Sequence, residues 1–291
     1  MKKLLILFFA LFISTNIVKA GASPIEVTYN DGIYQIALKG NKIKKHVKFI
    51  SSESLITNKE AHQRAKAKLT VNAGYFDPEN QKSISYIVSD RNTTDDPLVN
   101  ENLLRNPFLM KNLDKIINRT EFRVVECDNG KFHYEIVPHK SSVDFGCNII
   151  TSAQGGPLVY PQLRLEEEAF IVKKDGEIIR ESCSVLHKTS RTIIGLKGDD
   201  AYILIITDKH PMDMYEVHDY VKSLGWDRAM AFDGGSSTSM NYLDKYNITS
   251  VGDGAGRSLK SFLIVKWKIK AQKFWAFILS EFYNNFILQN N

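Results

Sequence analysis

The sequence predicts an α+β fold in which a mixed, largely antiparallel β-sheet packs with a few helices in a single domain. Short apolar or alternating runs, separated by turn residues, recur along the chain and are typical of strands. The clearest helix covers residues 212–226, where apolar residues recur at helical spacing before a glycine. The 291 residues include 43% hydrophobic side chains, enough to bury a sizeable core.

Residues 1–20 have the layout of a secretory signal peptide, with two lysines, an apolar run and small residues at Val18 and Ala20. We predict cleavage near Ala20 and export to the periplasm or the medium. The alternative is an uncleaved anchor, although the apolar run is short for a spanning helix of about 20 residues. At the other end, residues 268–291 form an amphipathic tail, predicted to dock on the domain or to contact a membrane surface.

Charge and cysteine content exclude some classes of protein. The formal net charge of +5 falls by three, to +2, when the lysines of residues 1–20 are removed, and no basic stripe is present. This pattern predicts no nucleic-acid partner. Three cysteines allow one disulfide at most, and Cys127 with Cys147, on either side of a predicted hairpin, is the expected pair, with Cys183 left over.

The first third of the chain predicts strands and one short helix. Residues 25–40 alternate around an Asn-Asp-Gly turn and predict a hairpin, and residues 46–54 predict a further strand. Residues 60–68 predict a short helix that leads into a buried strand ending at Asn72. We expect residues 21–68 to pack on a core domain of residues 69–267.

The middle of the chain begins with a polar, asparagine-rich stretch. Residues 90–118 contain two prolines and predict an insertion of loops and short helices. A turn at residues 128–130 then joins two predicted strands. Farther along, Gln154 precedes a Gly-Gly-Pro sequence that requires an unusual backbone. A charged stretch with a turn at residues 175–176 follows.

The last part predicts a strand-helix-strand unit. Strands starting at Arg191 and ending before Asp208 precede the helix, and residues 228–232 form the strand after it. Ligands of such units bind at the carboxyl ends of the strands, so Asp208 and Asp233 should lie on one edge. Residues 259–267 predict the final strand.

The stretch of residues 229–242 combines an apolar strand, Asp233, two glycines and four hydroxyl residues. Gly234 and Gly235 can take positive φ and let a ligand approach the backbone, and Ser236 and Ser237 add hydroxyl groups. This composition favours a polar binding site. A tight turn between two strands is the alternative, because Asp-Gly is also common in hairpins.

Five motifs in this order and spacing resemble the phosphodiester glycosidase family. They are NAGYF from Asn72, AQGGPLV around Gln154, RTIIG from Arg191, DGGSSTSM from Asp233 and GRSLKSFLIV around Arg257. The similarity spans residues 69–267. The chain departs from the family pattern at Ser236, where a third glycine is frequent, and at residues 208–210, where the family often has Asp-Gly-Arg. These departures leave the sugar substrate open.

The resemblance implies an exported hydrolase that cleaves the glycosidic C–O bond of a sugar-1-phosphodiester. Asp233, Arg191 and Asp208 are the expected catalytic residues, with Asp233 as base, nucleophile or ligand of a possible divalent metal, and Arg191 as a fork for phosphate. Arg191 could instead pair with a structural acid, and Asp208 could cap the helix that follows. The expected substrate-binding residues are Asn72, Gly74, Gln154, Gly155, Gly234, Gly235, Ser236 and Ser237.

Two other functions stay open on the sequence. A carbohydrate-binding protein of the envelope would keep the fold and the sugar contacts without turnover. A phosphodiesterase would break the P–O bond in place of the C–O bond. A non-catalytic role is disfavoured because Asp233 and Arg191 are both retained.

Overall fold

The computed structural model describes residues 23–253 and 256–267, so the predicted signal peptide and the predicted tail lie outside the described residues. The α+β prediction is confirmed, with antiparallel pairing in every strand ladder described. Strands are β1 (Ile25–Asn30), β2 (Ile33–Leu38), β3 (Val47–Ile56), β4 (Leu69–Asn72), β5 (Ile87–Ser89), β6 (Asn92–Asp95), β7 (Thr120–Cys127), β8 (Phe132–Pro138), β9 (Cys147–Gln154), β10 (Leu158–Tyr160), β11 (Ile171–Lys174), β12 (Glu177–Glu181), β13 (Arg191–Lys197), β14 (Asp200–Ile206), β15 (Arg228–Ala231), β16 (Ser239–Tyr242), β17 (Tyr246–Thr249), β18 (Gly252–Asp253) and β19 (Leu259–Val265). Helices are α1 (Asn41–Lys44), α2 (Asn58–Ala65), α3 (Glu101–Arg105), α4 (Pro107–Lys111), α5 (Leu113–Ile116) and α6 (Met214–Ser223), with short 3₁₀ turns at Pro97–Val99 and Gly235–Ser237.

Three large sheets surround the main core. Their strand orders are β1-β2-β14-β13-β15-β10, β18-β17-β16-β4-β19-β3 and β6-β5-β9-β7-β8, and β11 with β12 forms a separate hairpin. Each sheet contributes an aromatic side chain to the centre. The Phe49 ring lies 6.1 Å from Phe122 and 5.8 Å from Phe232, in edge contacts that aromatic pairs prefer. The residue after Phe232 is Asp233, so the core anchors the position of this carboxylate.

The predicted strand-helix-strand unit is confirmed as β14, α6 and β15. Both strands pair antiparallel with β13, so they run parallel to each other, and their carboxyl ends share one edge. Met214, Val217 and Val221 of α6 are buried against this sheet. The N-cap of α6 is Asp213, whose carboxylate accepts from the backbone of the first turn, and Asp208 therefore does not cap this helix.

The structure differs from the sequence prediction at the first predicted helix and in the polar insertion. The helix predicted at residues 60–68 is α2, which begins earlier because Thr57 and Glu60 form a reciprocal capping box. It ends earlier because Lys66 adopts a left-handed conformation. The polar stretch of residues 90–118 contains the short helices α3, α4 and α5, but it also contains strand β6, which the sequence analysis missed.

The predicted disulfide is confirmed. Cys127 at the end of β7 lies opposite Cys147 at the start of β9, and their sulfurs are joined. Because the bond closes a loop of 20 residues, it restricts the unfolded chain.

Replacing Cys127 and Cys147 together with serine should lower the free energy of unfolding by about 3 kcal/mol, because the loop is no longer closed in the unfolded chain. Urea unfolding followed by circular dichroism measures the change. Cys183→Ser is the matched control and should leave the urea midpoint of the oxidised protein unchanged. Equal midpoints for the double variant and the control would contradict the expected contribution.

Candidate active site

Asp233 is held by its backbone where two sheets meet. Its N–H donates to Ala73 O at 3.0 Å, and its carbonyl accepts from Asn72 Nδ2 at 2.6 Å. The chain then turns at Gly235, whose φ of +58° suits glycine and whose N–H donates to Ser190 O at 2.8 Å. Strand ends therefore fix the carboxylate, as a precise site requires.

The carboxylate of Asp233 is half-buried and lies in a desolvated environment. Burial raises its pKa to about 6, and hydrogen bonds from Ser237 and the Gly234 N–H, with the charge of Arg257, only partly oppose this effect. Asp233 therefore titrates close to neutral pH, as functional carboxylates often do.

Asp233 opens onto a cleft of about 340 Å³, within the range of small-molecule sites. The apolar residues of its lining, which we call the apolar wall, come largely from α3, α4, α5 and the segment after β4. The polar residues include three arginines, which we call the cationic wall, with the thiol of Cys183 and the carboxylates of Glu181 and Asp233. The lining residues are Tyr75, Phe76, Pro78, Ile84, Leu103, Leu109, Ile116, Arg119, Arg180, Glu181, Ser182, Cys183, Asp233 and Arg257.

The three arginines of the cleft are held over aromatic rings. The guanidinium carbon of Arg257 lies 5.0 Å from the centre of the Phe76 ring. The corresponding distances are 4.7 Å from Arg180 to Phe108 and 4.0 Å from Arg119 to Phe170. Among the side chains that the structure describes, which exclude those of residues 252–255, no carboxylate lies within ion-pair distance of these guanidinium groups. Their charges are thus available to an anionic ligand.

Arg257 and Arg119 already hold parts of the site in place. Arg257 Nη1 donates to Ser236 Oγ at 3.3 Å, which links it to the loop after Asp233. Arg119 Nε donates to Glu168 O at 2.9 Å. Among the described residues, Arg180 makes a single hydrogen bond, of 3.4 Å to Ser182 Oγ, and keeps most of its donors.

The loop that carries Cys183 is strained and braced. Cys183 and Ser184 have φ of +59° and +48°, a region that side chains other than glycine rarely adopt. Strain of this kind persists where the surroundings enforce it. The thiol is exposed to the cleft but crowded by protein, and this desolvation raises its pKa to about 12, so it stays neutral.

The brace of this loop is Arg191, which is buried and donates to four backbone carbonyls. Nε reaches Met212 O at 2.9 Å, and the two terminal nitrogens reach the carbonyls of Cys183, Ser184 and His187 at 3.3, 2.7 and 2.7 Å. Four of its five N–H groups are thereby used. The predicted role of Arg191 as a bidentate fork for phosphate does not fit this arrangement.

Comparison with known proteins was decisive at the level of the family. A sequence model described as phosphodiester glycosidase matches residues 65–266. The chain belongs to the phosphodiester glycosidase family. No curated protein shows a significant match to the sequence.

Solved structures similar to this chain share its fold at low identity. The catalytic domain of zebrafish N-acetylglucosamine-1-phosphodiester alpha-N-acetylglucosaminidase, auto-inhibited by its pro-peptide, is 12% identical with a TM-score of 0.56 over 84% of this chain and 82% of that chain. A hypothetical protein from Synechocystis is 11% identical with a TM-score of 0.55 over 83% and 61%. A candidate exported protein from Burkholderia pseudomallei is 12% identical with a TM-score of 0.60 over 81% and 74%.

Two amides that we expected to bind the sugar form internal hydrogen bonds in this member of the family. Asn72 is buried, and its Oδ1 accepts from Thr192 Oγ1 at 2.8 Å and from the Ser239 N–H at 3.0 Å. Gln154 is also buried, and its Nε2 donates to the carbonyls of Ile116 and Arg119 at 3.3 and 3.4 Å. Because neither residue lines the cleft, direct hydrogen bonds to sugar are not supported.

The glycines of the motifs allow close packing or tight turning. A Cβ on Gly74 would meet Ser85 at 2.7 Å, and one on Gly155 would meet Ala231 O at 2.5 Å. Neither glycine lines the cleft. Gly234 passes beside Ser190 O, where a Cβ would lie at 3.0 Å. Of the predicted substrate-binding residues, the loop of residues 234–237 is therefore the part that lies next to the carboxylate of Asp233.

Asp208 is exposed and lies outside the cleft lining. Its carboxylate accepts from Ser190 Oγ, and the carbonyl of the same serine accepts from Gly235. Asp208 thus contacts the Asp233 loop through Ser190, which fits a positioning role better than the predicted catalytic one. Among the residues described, no three His, Cys, Asp or Glu side chains are grouped to hold a metal.

Sequence reasoning missed the cationic wall of the cleft. Arg119 and Arg180 lie outside the five motifs, and only the tertiary fold brings them to Asp233. Arg257 and Tyr75 belong to two of these motifs, but the sequence analysis assigned them no role. Tyr75 packs under the site, where its hydroxyl donates to Gly156 O at 2.8 Å.

The described helices include none long and apolar enough to cross a bilayer.

Arg191→Met should lower the free energy of unfolding by about 2 kcal/mol, because it removes the donors to four carbonyls. Arg180→Met is the matched variant and should change this free energy by less than about 0.5 kcal/mol, since its guanidinium braces little. Urea unfolding of both variants makes the comparison. Equal destabilisation by the two variants would contradict the bracing role of Arg191.

Proposed function

We propose that this phosphodiester glycosidase hydrolyses the glycosidic C–O bond of a sugar-1-phosphodiester and releases free sugar and a phosphate monoester. The observation that carries the proposal is one cleft lined by Asp233 and by three arginines that form no ion pair with the described side chains. Family membership supports the reaction class. The name of the zebrafish enzyme, which has a similar fold, supports a sugar-1-phosphodiester as substrate.

The chemistry of the leaving group explains why three arginines accompany one carboxylate in the cleft. As the C–O bond breaks, its electron pair moves to the phosphate oxygen, while the sugar gains oxocarbenium character. A phosphate monoester is a stable anion with a second pKa of about 6, so a strong general acid is less necessary than in ordinary glycosidases. Arg180 and Arg257 would stabilise the departing charge, with Arg119 behind them.

Asp233 supplies the carboxylate that the sugar carbon requires. It would take a proton from the attacking water or attack the anomeric carbon itself, and the stereochemistry of the released sugar distinguishes these routes. The second carboxylate of the cleft, Glu181, accepts from Leu186 N at 2.8 Å and is engaged in holding its loop. We therefore assign the reaction to Asp233.

We further propose export of the mature chain. The layout of residues 1–20 supports it, as does the fold shared with a candidate exported protein. A disulfide between Cys127 and Cys147 is consistent with an oxidising compartment.

Asp233→Asn should lower the turnover of an accepted sugar-1-phosphodiester by about 10²-fold or more, because the general base or nucleophile is lost. Release of free sugar from a panel of such compounds measures it. Asp219→Asn, which removes an exposed acid from α6, is the control and should retain full activity. Hydrolysis in ¹⁸O-water should place the label in the sugar. Label in the phosphate would indicate P–O cleavage, and sugar binding without turnover would indicate a binding protein.

The pH dependence should follow the ionisation of Asp233. Since its pKa is raised to about 6 and the reaction needs the carboxylate, kcat should rise with pH through this value and level off above pH 7. A profile that falls through pH 6 would assign Asp233 as an acid.

The same shift predicts an effect on stability with a defined sign. The pKa of Asp233 in the folded chain lies above its ordinary value of 3.8, so ionisation disfavours folding as pH rises from 4 to 6. Asp233→Asn should therefore raise the melting temperature at pH 8 and have little effect at pH 4. A lower melting temperature of the variant at pH 8 would contradict the desolvation of Asp233.

A further inference from the structure

A second groove lies at the opposite end of the first sheet from Asp233. The start of β13 adjoins the Asp233 loop, because Ser190 O accepts from Gly235. The other end of β13 leads to Asp199, which lines a groove of about 780 Å³. The seven residues of β13 span roughly 20 Å, so the groove is separate from the cleft.

Lysines dominate the charge of this groove. They come from α1, the residue after it and the turn between β7 and β8, and they outnumber the acids by two. The charged residues that line it are Lys42, Lys44, Lys45, Lys131, Asp144 and Asp199, with His133 ion-paired to Glu135. An excess of ammonium groups around a concave surface attracts anions.

Lys44 distinguishes this groove from an ordinary basic surface. It is only 2% exposed, yet it lines the groove, and its Nζ lies 5.4 Å from the centre of the Tyr134 ring. In the described ranges, no carboxylate lies within 4.0 Å of this ammonium group. Because almost all of this side chain is packed in protein, the ammonium group at its tip is held in place at the groove. The ring face of Tyr134 attracts this cation weakly, and a bound anion would give it an opposite charge as a partner.

The other lining groups suit a saccharide. Phe132 presents an aromatic ring, and Asn41 and Asn129 bring amides to the same groove. Amides donate to and accept from hydroxyl groups, and aromatic side chains provide an apolar surface for a sugar ring. The volume is about twice that of the cleft, which leaves room for more than one sugar unit.

We propose that the groove around Lys44 is a second binding site, which takes an anionic saccharide bearing a phosphate group. The site is independent of the reaction at Asp233. It would hold a charged part of a glycan about one strand length away from the cleft.

Isothermal titration of the mature chain with glucose 6-phosphate tests the proposal, with glucose and inorganic phosphate as separate titrations. Lys44→Met keeps the aliphatic stem and should weaken the binding of glucose 6-phosphate by about tenfold or more, the effect of one charge-assisted hydrogen bond. Lys131→Met, at the exposed edge, should weaken it less. Lys222→Met, on the surface of α6, is the matched control and should bind as the parent does.

A separate variant tests whether glucose 6-phosphate binds in the cleft and not in the groove. Arg180→Met should leave the affinity of the Lys44 site unchanged, and the same affinity should be seen in Asp233→Asn whether or not the proposed reaction is correct. Thermal melting verifies that Lys44→Met is folded. Undiminished binding by Lys44→Met, binding abolished by Arg180→Met, or no binding of glucose 6-phosphate would overturn the site. Inorganic phosphate binding as tightly as glucose 6-phosphate would overturn the saccharide assignment.

Discussion

One buried amide, that of Asn72, connects the parts of the candidate active site. Its side chain contacts Asp233 after β15, Thr192 in β13 and Ser239 in β16, while its backbone belongs to β4. β13 and β15 are in one sheet, and β4 and β16 are in another. A single side chain therefore ties two sheets together at the point where the carboxylate leaves the core. Because these hydrogen bonds are buried, losing one leaves unsatisfied groups and is expensive.

This rigid junction makes an unfavourable electrostatic environment tolerable. Asp233 is desolvated, and three arginines are held nearby on aromatic rings without an ion pair to the described side chains. Packing and backbone hydrogen bonds hold these charged groups in place although the free protein does not pair them in salt bridges. Such preorganisation is useful when a ligand brings the complementary charge, because the protein need not rearrange as charge develops. The strained, braced loop at Cys183 contributes to the same arrangement.

Much of the fold could be predicted from sequence because strand periodicity, turn residues and caps are local signals. The hairpin of β1 and β2, the unit around α6 and the pairing of Cys127 with Cys147 all follow from neighbouring residues. β6 was missed because its polar sequence, Asn92–Asp95, lacks a strand pattern and is held by its neighbour β5.

The site was predicted less completely, for a physical reason. A polar residue in a motif can contact a ligand or hold a loop, and the residue type is the same in both cases. Asn72, Gln154 and Arg191 hold backbone groups, as their buried hydrogen bonds show. Arg119 and Arg180 lie far from Asp233 in the chain, and only tertiary contacts place them in its cleft.

The cleft is built from two parts of the chain that depend on each other little, and this separation affects how such proteins diversify. The carboxylate depends on strand ends, whereas much of the apolar wall comes from α3, α4 and α5, which contact mainly one another and their immediate surroundings. Substitutions in these helices can therefore reshape the cleft without disturbing the strand ends that hold the carboxylate.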